Sequence, residues 1–248
     1  WRWQEFLSLI PRLGRRWRTC AVDLRGNGRS GWVPGRYRLA DFADDITEFV
    51  ERLNAPGVLL GHSIGGVVAL MVAARRPDNV RALIIEDVPL TREGYRNVVD
   101  SSRAMFGLWL ELKRAARSEE DLAFRLAEAY QDNPAATSAW ILFFAGCLWQ
   151  LDPRFFDSLL NDFEAFCADY DGKRILSGLA CPILFLRGES RLGAMMPDDD
   201  VAWLRSHCHH AQCVVIDGVG HMLHLEDAGQ APVLTAMLAF LDRIDSTG

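Results

Sequence analysis

Ser63 stands in Leu59-Leu60-Gly61-His62-Ser63-Ile64-Gly65-Gly66, an apolar run that breaks at a hydroxyl held between glycines. An alcohol is a poor nucleophile until a base takes its proton, and an imidazole that titrates near neutrality suits that task. His221, in Gly218-Val219-Gly220-His221-Met222, follows the last apolar run of the chain and is the histidine placed to serve Ser63. His224, three residues on, is the competitor and falls on the following turn. The chemistry these types could do is nucleophilic catalysis at a serine.

The elements around them must bring the two together. Pro56-Gly57 opens a short strand, Val58 to Leu60, and Gly65 to Ala74 reads as a buried helix that stops before Pro77. The pattern G-x-S-x-G between strand and helix is a nucleophile elbow, in which the turn strains the serine and lifts its hydroxyl over the sheet's edge. Side chains at Gly61 and Gly65 are expected to collide across that turn. Trp1 to Leu13 carries apolar residues at helical spacing, Arg18 to Leu24 reads as a buried strand, and Leu39 to Leu53 is an amphipathic helix. Val80 to Val88 is a further strand and ends at Glu86-Asp87. Short strands alternating with helices predict an α/β fold, a mostly parallel, doubly wound sheet with ligands bound beyond the strands' carboxyl ends. Ser63 and Asp87 both fall at such ends.

From Thr91 to Gly178 the pattern is helical and rich in aromatics, among them Phe106, Trp109, Trp140, Phe155 and Phe156. The alternation resumes with strands over Cys181–Glu189 and Cys213–Asp217, a helix over Pro197–Ser206 and a closing helix over Ala231–Ile244. Three segments follow: core 1–90, a helical insertion 91–178, and core 179–248.

Other chemistries are disfavoured by pattern. A net charge of −6 over 248 residues argues against nucleic acid or an anionic membrane as partner, and no apolar run reaches spanning length. Six cysteines without a C-x-x-C pair suit reduced thiols in a cytoplasm. Gly26-x-Gly28 follows a strand but opens no helix, so no dinucleotide cofactor is expected there. His207-Cys208-His209-His210 and Cys213 crowd a helix exit without the spaced pairs of a zinc site, and no metal is expected.

With Asp23-Leu24-Arg25-Gly26-Asn27-Gly28-Arg29-Ser30, Gly61-His62-Ser63-Ile64-Gly65-Gly66 and Gly220-His221 in view, the chain resembles the α/β-hydrolase superfamily with a helical cap, over nearly its whole length. The resemblance implies an acyl-enzyme on Ser63, with His221 as proton shuttle and the backbone N–H of Ile64 as one oxyanion donor. The substrate class implied is an ester, thioester or lactone with an apolar acyl part. C–C bond hydrolases and cofactor-free haloperoxidases keep the same serine, and a non-catalytic binder, or an inactive fragment lacking the oxyanion loop, is the reading from another class. Two departures stand out. Many relatives carry the triad acid in a G-x-x-D pattern, where this chain reads Gly188-Glu189-Ser190-Arg191. Others take it from the strand after the nucleophile helix, which makes Asp87 the first choice here, Glu189 the second and Asp198 the third. The family also places a strand between Arg18–Leu24 and Val58–Leu60, followed by a loop with the second oxyanion donor. Trp1 matches a position inside the helix after that loop, so the sequence reads as an N-terminally truncated hydrolase with two open strand edges.

Overall fold

The computed structural model describes residues 2–134 and 136–246. Four strands, β1 (Gly57–His62), β2 (Val80–Glu86), β3 (Ile183–Arg187) and β4 (Ala211–Val215), form one sheet in the order β1-β2-β3-β4. Every neighbouring pair is parallel, with Gly61 opposite Ile85 and Ile85 opposite Phe185. Both faces of such a sheet must be covered, and the strands show it by alternation. Leu83, Ile85, Ile183 and Phe185 join one core cluster; Ala82, Ile84, Leu184 and Leu186 join the other.

The first cluster packs under α2 (Leu39–Arg52) and α3 (Ile64–Arg75); the second lies under the closing helix, Asp227–Ser246. Asp41 secures the start of α2, its carboxylate accepting the Arg38 N–H at 3.0 Å and the Arg36 Nε–H at 2.8 Å. Between β2 and β3 the described residues contain helices and no strand, from Arg92–Ser101 to Gly172–Gly178. The α/β class and parallel sheet expected from sequence are therefore observed.

Three local expectations are corrected. Arg18–Leu24 is not a strand: Arg18 to Val22 are exposed and no ladder bond reaches them. β-forming side chains make a strand only against a partner edge, and this segment and β1 both line one cavity instead of pairing. β1 is consequently an edge strand with its first four residues half-buried. The first helix is broken into a 3-10 run, Trp3–Ser8, and a single α turn, Ile10–Leu13 (α1), because Pro11 has no N–H to continue an earlier helix. The last strand starts two residues earlier than its apolar run predicts, since Ile183 pairs with Ala211.

The glycine-rich turn after Leu24 is a brace. The Asp23 carboxylate fills it, accepting the N–H groups of Arg29 at 3.0 Å and Trp3 at 2.7 Å. A Cβ on Gly28, where φ is +54°, would sit 2.3 Å from that carboxylate, so only glycine fits. The same turn reaches the helical insertion: Gly26 O accepts the N–H of Asp152, and the buried Tyr37 hydroxyl donates to the Asp152 carboxylate.

Candidate active site

Ser63 follows the last residue of β1 and precedes the first of α3, with φ 54° and ψ −124°. A non-glycine residue at positive φ is uncommon and is held only where the surroundings over-determine it. Here the Ser63 N–H donates to Glu86 O at 3.0 Å, and its carbonyl accepts from Gly66 and Val67, so strand and helix grip it from both sides. A Cβ on Gly61 would lie 2.2 Å from Gly65 O, and one on Gly66 would lie 2.8 Å from Val88 Cγ1. Nothing lies within 4 Å of a Cβ on Gly65. The glycines that the elbow needs are thus Gly61 and Gly66, and the expectation for Gly65 is corrected. Ile64, at the first position of α3, has no intrahelical acceptor for its N–H and lines the cavity.

Asp87 lies one residue beyond β2, fully buried and itself at φ 49°. Its Oδ2 accepts the His221 Nδ1–H at 2.8 Å and the Met195 N–H at 2.7 Å, while Oδ1 accepts the Met196 N–H at 3.1 Å. Three donors fix the carboxylate, and the carboxylate fixes the imidazole. With Nδ1 protonated toward Asp87, the free nitrogen of His221 is Nε2, the tautomer a general base requires. Burial lowers the His221 pKa, the neighbouring His62 charge lowers it further, and Asp87 pulls the other way, leaving it below the ordinary histidine value.

The alternatives are engaged elsewhere. Glu189 accepts both Arg191 Nε–H at 2.6 Å and the Gly218 N–H at 2.6 Å. Asp198 is largely exposed and takes the Arg187 guanidinium at 2.6 Å. His224 is fully buried, its Nδ1 bonded to Glu86 Oε2 at 2.7 Å. His207 donates to the Trp203 carbonyl at 2.9 Å and stacks on the Trp203 ring, which turns it toward its own helix. Among the described residues no three His, Cys, Asp or Glu side chains converge as a metal site.

Ser63 and His221 both line a cavity of about 860 Å³. It runs along the open edge of β1, from Pro56 and Asp245 at one end to Asn27, Met195 and Met222 beside Ser63, and on to Phe106, Trp109, Trp140 and Phe156 of the insertion. Among the described residues the hydrogen bonds of His221 do not include one to Ser63 Oγ; in a ligand-free serine site that bond is commonly long and tightens with substrate.

A family model for the alpha/beta hydrolase fold matches residues 1–228. The chain belongs to the α/β-hydrolase fold family. It is 42% identical over 80 residues to a pimeloyl-[acyl-carrier protein] methyl ester esterase of Neisseria meningitidis, a stretch covering 32% of this chain and 30% of that protein. Matches to the first such relatives thus span about a third of their length. A probable serine hydrolase of Drosophila melanogaster is 28% identical over 250 residues, covering 90% of this chain and 74% of that one. Among solved structures, a carboxylesterase of the thaumarchaeon Nitrososphaera gargenis superposes with TM-score 0.77 at 18% identity, over 100% of this chain and 88% of its own. E-2-(acetamidomethylene)succinate hydrolase superposes with TM-score 0.76 at 22% identity, over 97% and 87%. These structures share the fold.

Two site residues escaped the sequence reading. Glu5 and His62 are buried against each other behind His221. His62 was visible as a histidine inside the elbow motif itself; Glu5 gave no signal, since nothing in a lone glutamate 57 positions away announces the pairing.

Proposed function

We propose that the chain is a serine hydrolase of an ester, thioester or lactone with an apolar acyl group. The observation that carries this is the 2.8 Å bond from His221 to the buried Asp87 beside a cavity that Ser63 also lines. Ser63 Oγ attacks the acyl carbon as its proton passes to His221 Nε2, and the Asp87 carboxylate steadies the imidazolium that forms. The Ile64 N–H takes part of the oxyanion charge. His221 then protonates the leaving group, and water, deprotonated by the same imidazole, releases the acid and restores Ser63.

The helical insertion 91–178 serves as the cap, its aromatic side chains receiving the acyl part. Esterase and hydrolase names among the relatives agree with the reaction class. Six unpaired thiols fit a reducing cytoplasm, and among the described residues no helix is long and apolar enough to cross a membrane.

A fluorophosphonate probe tests the reading directly. The chain is expected to label at Ser63 and Ser63→Ala to lose the label; a folded chain that does not react would replace the hydrolase by a binding protein on the same scaffold.

A further inference from the structure

Behind the reactive surface lies a second set of ionisable groups that the proposed reaction does not use. His62, the last residue of β1, is buried with its Nδ1 against the Glu5 carboxylate. Its Nε2 sits 2.9 Å from the backbone carbonyl of His221. A carbonyl oxygen only accepts, so Nε2 carries a proton. On the other side the ring meets a carboxylate, so Nδ1 donates as well, and a ring that donates from both nitrogens is an imidazolium. Its centroid lies 4.5 Å from that of His221, with the planes tilted by 36°.

We propose that Glu5 and His62 are a positioning pair for the general base: they hold the His221 backbone through its carbonyl and set a fixed positive charge against its ring. This rests on the reading of Ser63 and His221 as nucleophile and base. The ionisable groups here come from four elements besides β1. Glu5 belongs to the 3-10 run Trp3–Ser8, Glu86 and Asp87 to the end of β2, His221 to the loop after β4, and His224 to the 3-10 turn Leu223–Leu225. The Cys147 thiol of the helix Ser138–Trp149 also lies near, pushed up to about 11 by burial and hence neutral. Glu86 is taken by His224 and Asp87 by His221, which leaves Glu5 as the direct counter-charge of His62. Burial works against a charge on His62, but the Glu5 carboxylate outweighs it and raises the ring to about 9. Glu5 in turn is lowered despite its burial by the same partner.

The consequence is a base that resists protonation. An imidazolium beside His221 disfavours a second one, so His221 stays neutral at pH values where a free histidine has begun to charge. When His221 does take the Ser63 proton, the same repulsion makes it a stronger acid toward the leaving group. The 3-10 run is built to hold this arrangement: Phe6 stacks on the His224 ring with centroids 5.1 Å apart, and Ser8 Oγ donates to the His224 carbonyl at 3.3 Å.

Long-range proton–nitrogen NMR of the histidine rings tests the pair on the parent chain. His62 is expected with both nitrogens protonated at pH 7, losing a proton near 9, and His221 is expected to titrate below 6.5. Glu5→Gln removes the counter-charge and leaves His62 neutral with Nε2–H still facing the carbonyl. The His221 titration and the acid limb of kcat/KM then move to higher pH, because the lost His62 charge, 4.5 Å away between ring centroids, outweighs the lost Glu5 carboxylate, whose weaker pull on His221 has the opposite sign. A neutral His62 at pH 7 in the parent, or Glu5→Gln curves that superimpose on the parent's, would overturn the proposal. The parent spectrum decides the matter even where Glu5→Gln fails to fold. Ring titration needs no turnover, so the two failures are distinguishable: a chain that does not label at Ser63 ends the hydrolase reading, while the titrations alone decide whether His62 is charged and biases His221.

Discussion

At the scale of single residues, the assignment of the acid carries the sharpest consequence. The Asp87 carboxylate holds two backbone N–H groups and the His221 ring at once. In Asp87→Asn the amide oxygen can keep the Met196 N–H, and the NH₂ group then faces His221 Nδ1 and the Met195 N–H, which loses its acceptor. The ring must present a lone pair there and carry its proton on Nε2, where the base function is needed. A fall in kcat of about ten-thousand-fold is expected, with the fold retained, from the wrong tautomer alone. Glu189→Gln removes a carboxylate bound to Arg191 and Gly218 and is expected to leave kcat within a few-fold. Ester hydrolysis by the two variants discriminates, and equal losses would remove Asp87 from its role. Ser63 and Asp87 could be placed beside each other from the sequence because each directly follows a strand, and strand ends announce themselves by apolar runs that stop at polar residues; His221 lies six residues past β4 and is placed by its glycine-flanked loop. Glu5 could not, because its meaning lies in a pairing that no spacing encodes.

At the scale of elements, the elbow makes two neighbouring glycines unequal. Gly66 faces Val88 and the Gly61 carbonyl inside the turn, so Gly66→Ala forces strand and helix apart and is expected to cost about 1–3 kcal/mol. Gly65 faces open space at ordinary dihedrals, and Gly65→Ala is expected to be neutral or to stabilise α3 by up to about 1 kcal/mol. Urea unfolding of the two variants measures the difference, and a Gly65→Ala loss as large as that of Gly66→Ala would contradict the packing described. The motif's regular G-x-S-x-G spelling hides this asymmetry, since it names the glycine at 65 and not the one at 66. Legibility failed in the same way at Arg18–Leu24. Composition reports how well side chains suit a pleated surface; only a paired neighbour turns that suitability into a strand. β2 and β3, with neighbours on both sides, fell within two residues of their apolar runs, whereas the segment without a partner did not form.

At the scale of the whole molecule, the proposed reaction divides the labour: the sheet would supply the reactive groups and the helical insertion the shape around them. The cavity joins the two: Ser63, Ile64 and His221 line one part, and Phe106, Trp109, Leu148, Phe156 and Leu159 line another. Trp109 is kept in place by its indole N–H, which donates to the Tyr130 hydroxyl at 2.6 Å, and by edge-on packing against Phe144 with centroids 4.7 Å apart. A wall fixed in this way does not need to be ordered by the substrate, so methylene groups entering it contribute most of their burial energy. Each buried methylene is worth about 0.8 kcal/mol, or about three- to fourfold in kcat/KM when the contact is made in the transition state. Across a series of p-nitrophenyl esters from acetyl upward, kcat/KM is therefore expected to climb by roughly that factor per carbon and to level off when the apolar wall is filled. Trp109→Ala, which opens the wall and unpairs the Tyr130 hydroxyl, should shift the plateau toward longer chains and lower the rate on short ones. A profile that is flat from acetyl onward, in a chain that still labels at Ser63, would mean that the acyl group lies outside the insertion and that those aromatics serve only to pack its helices.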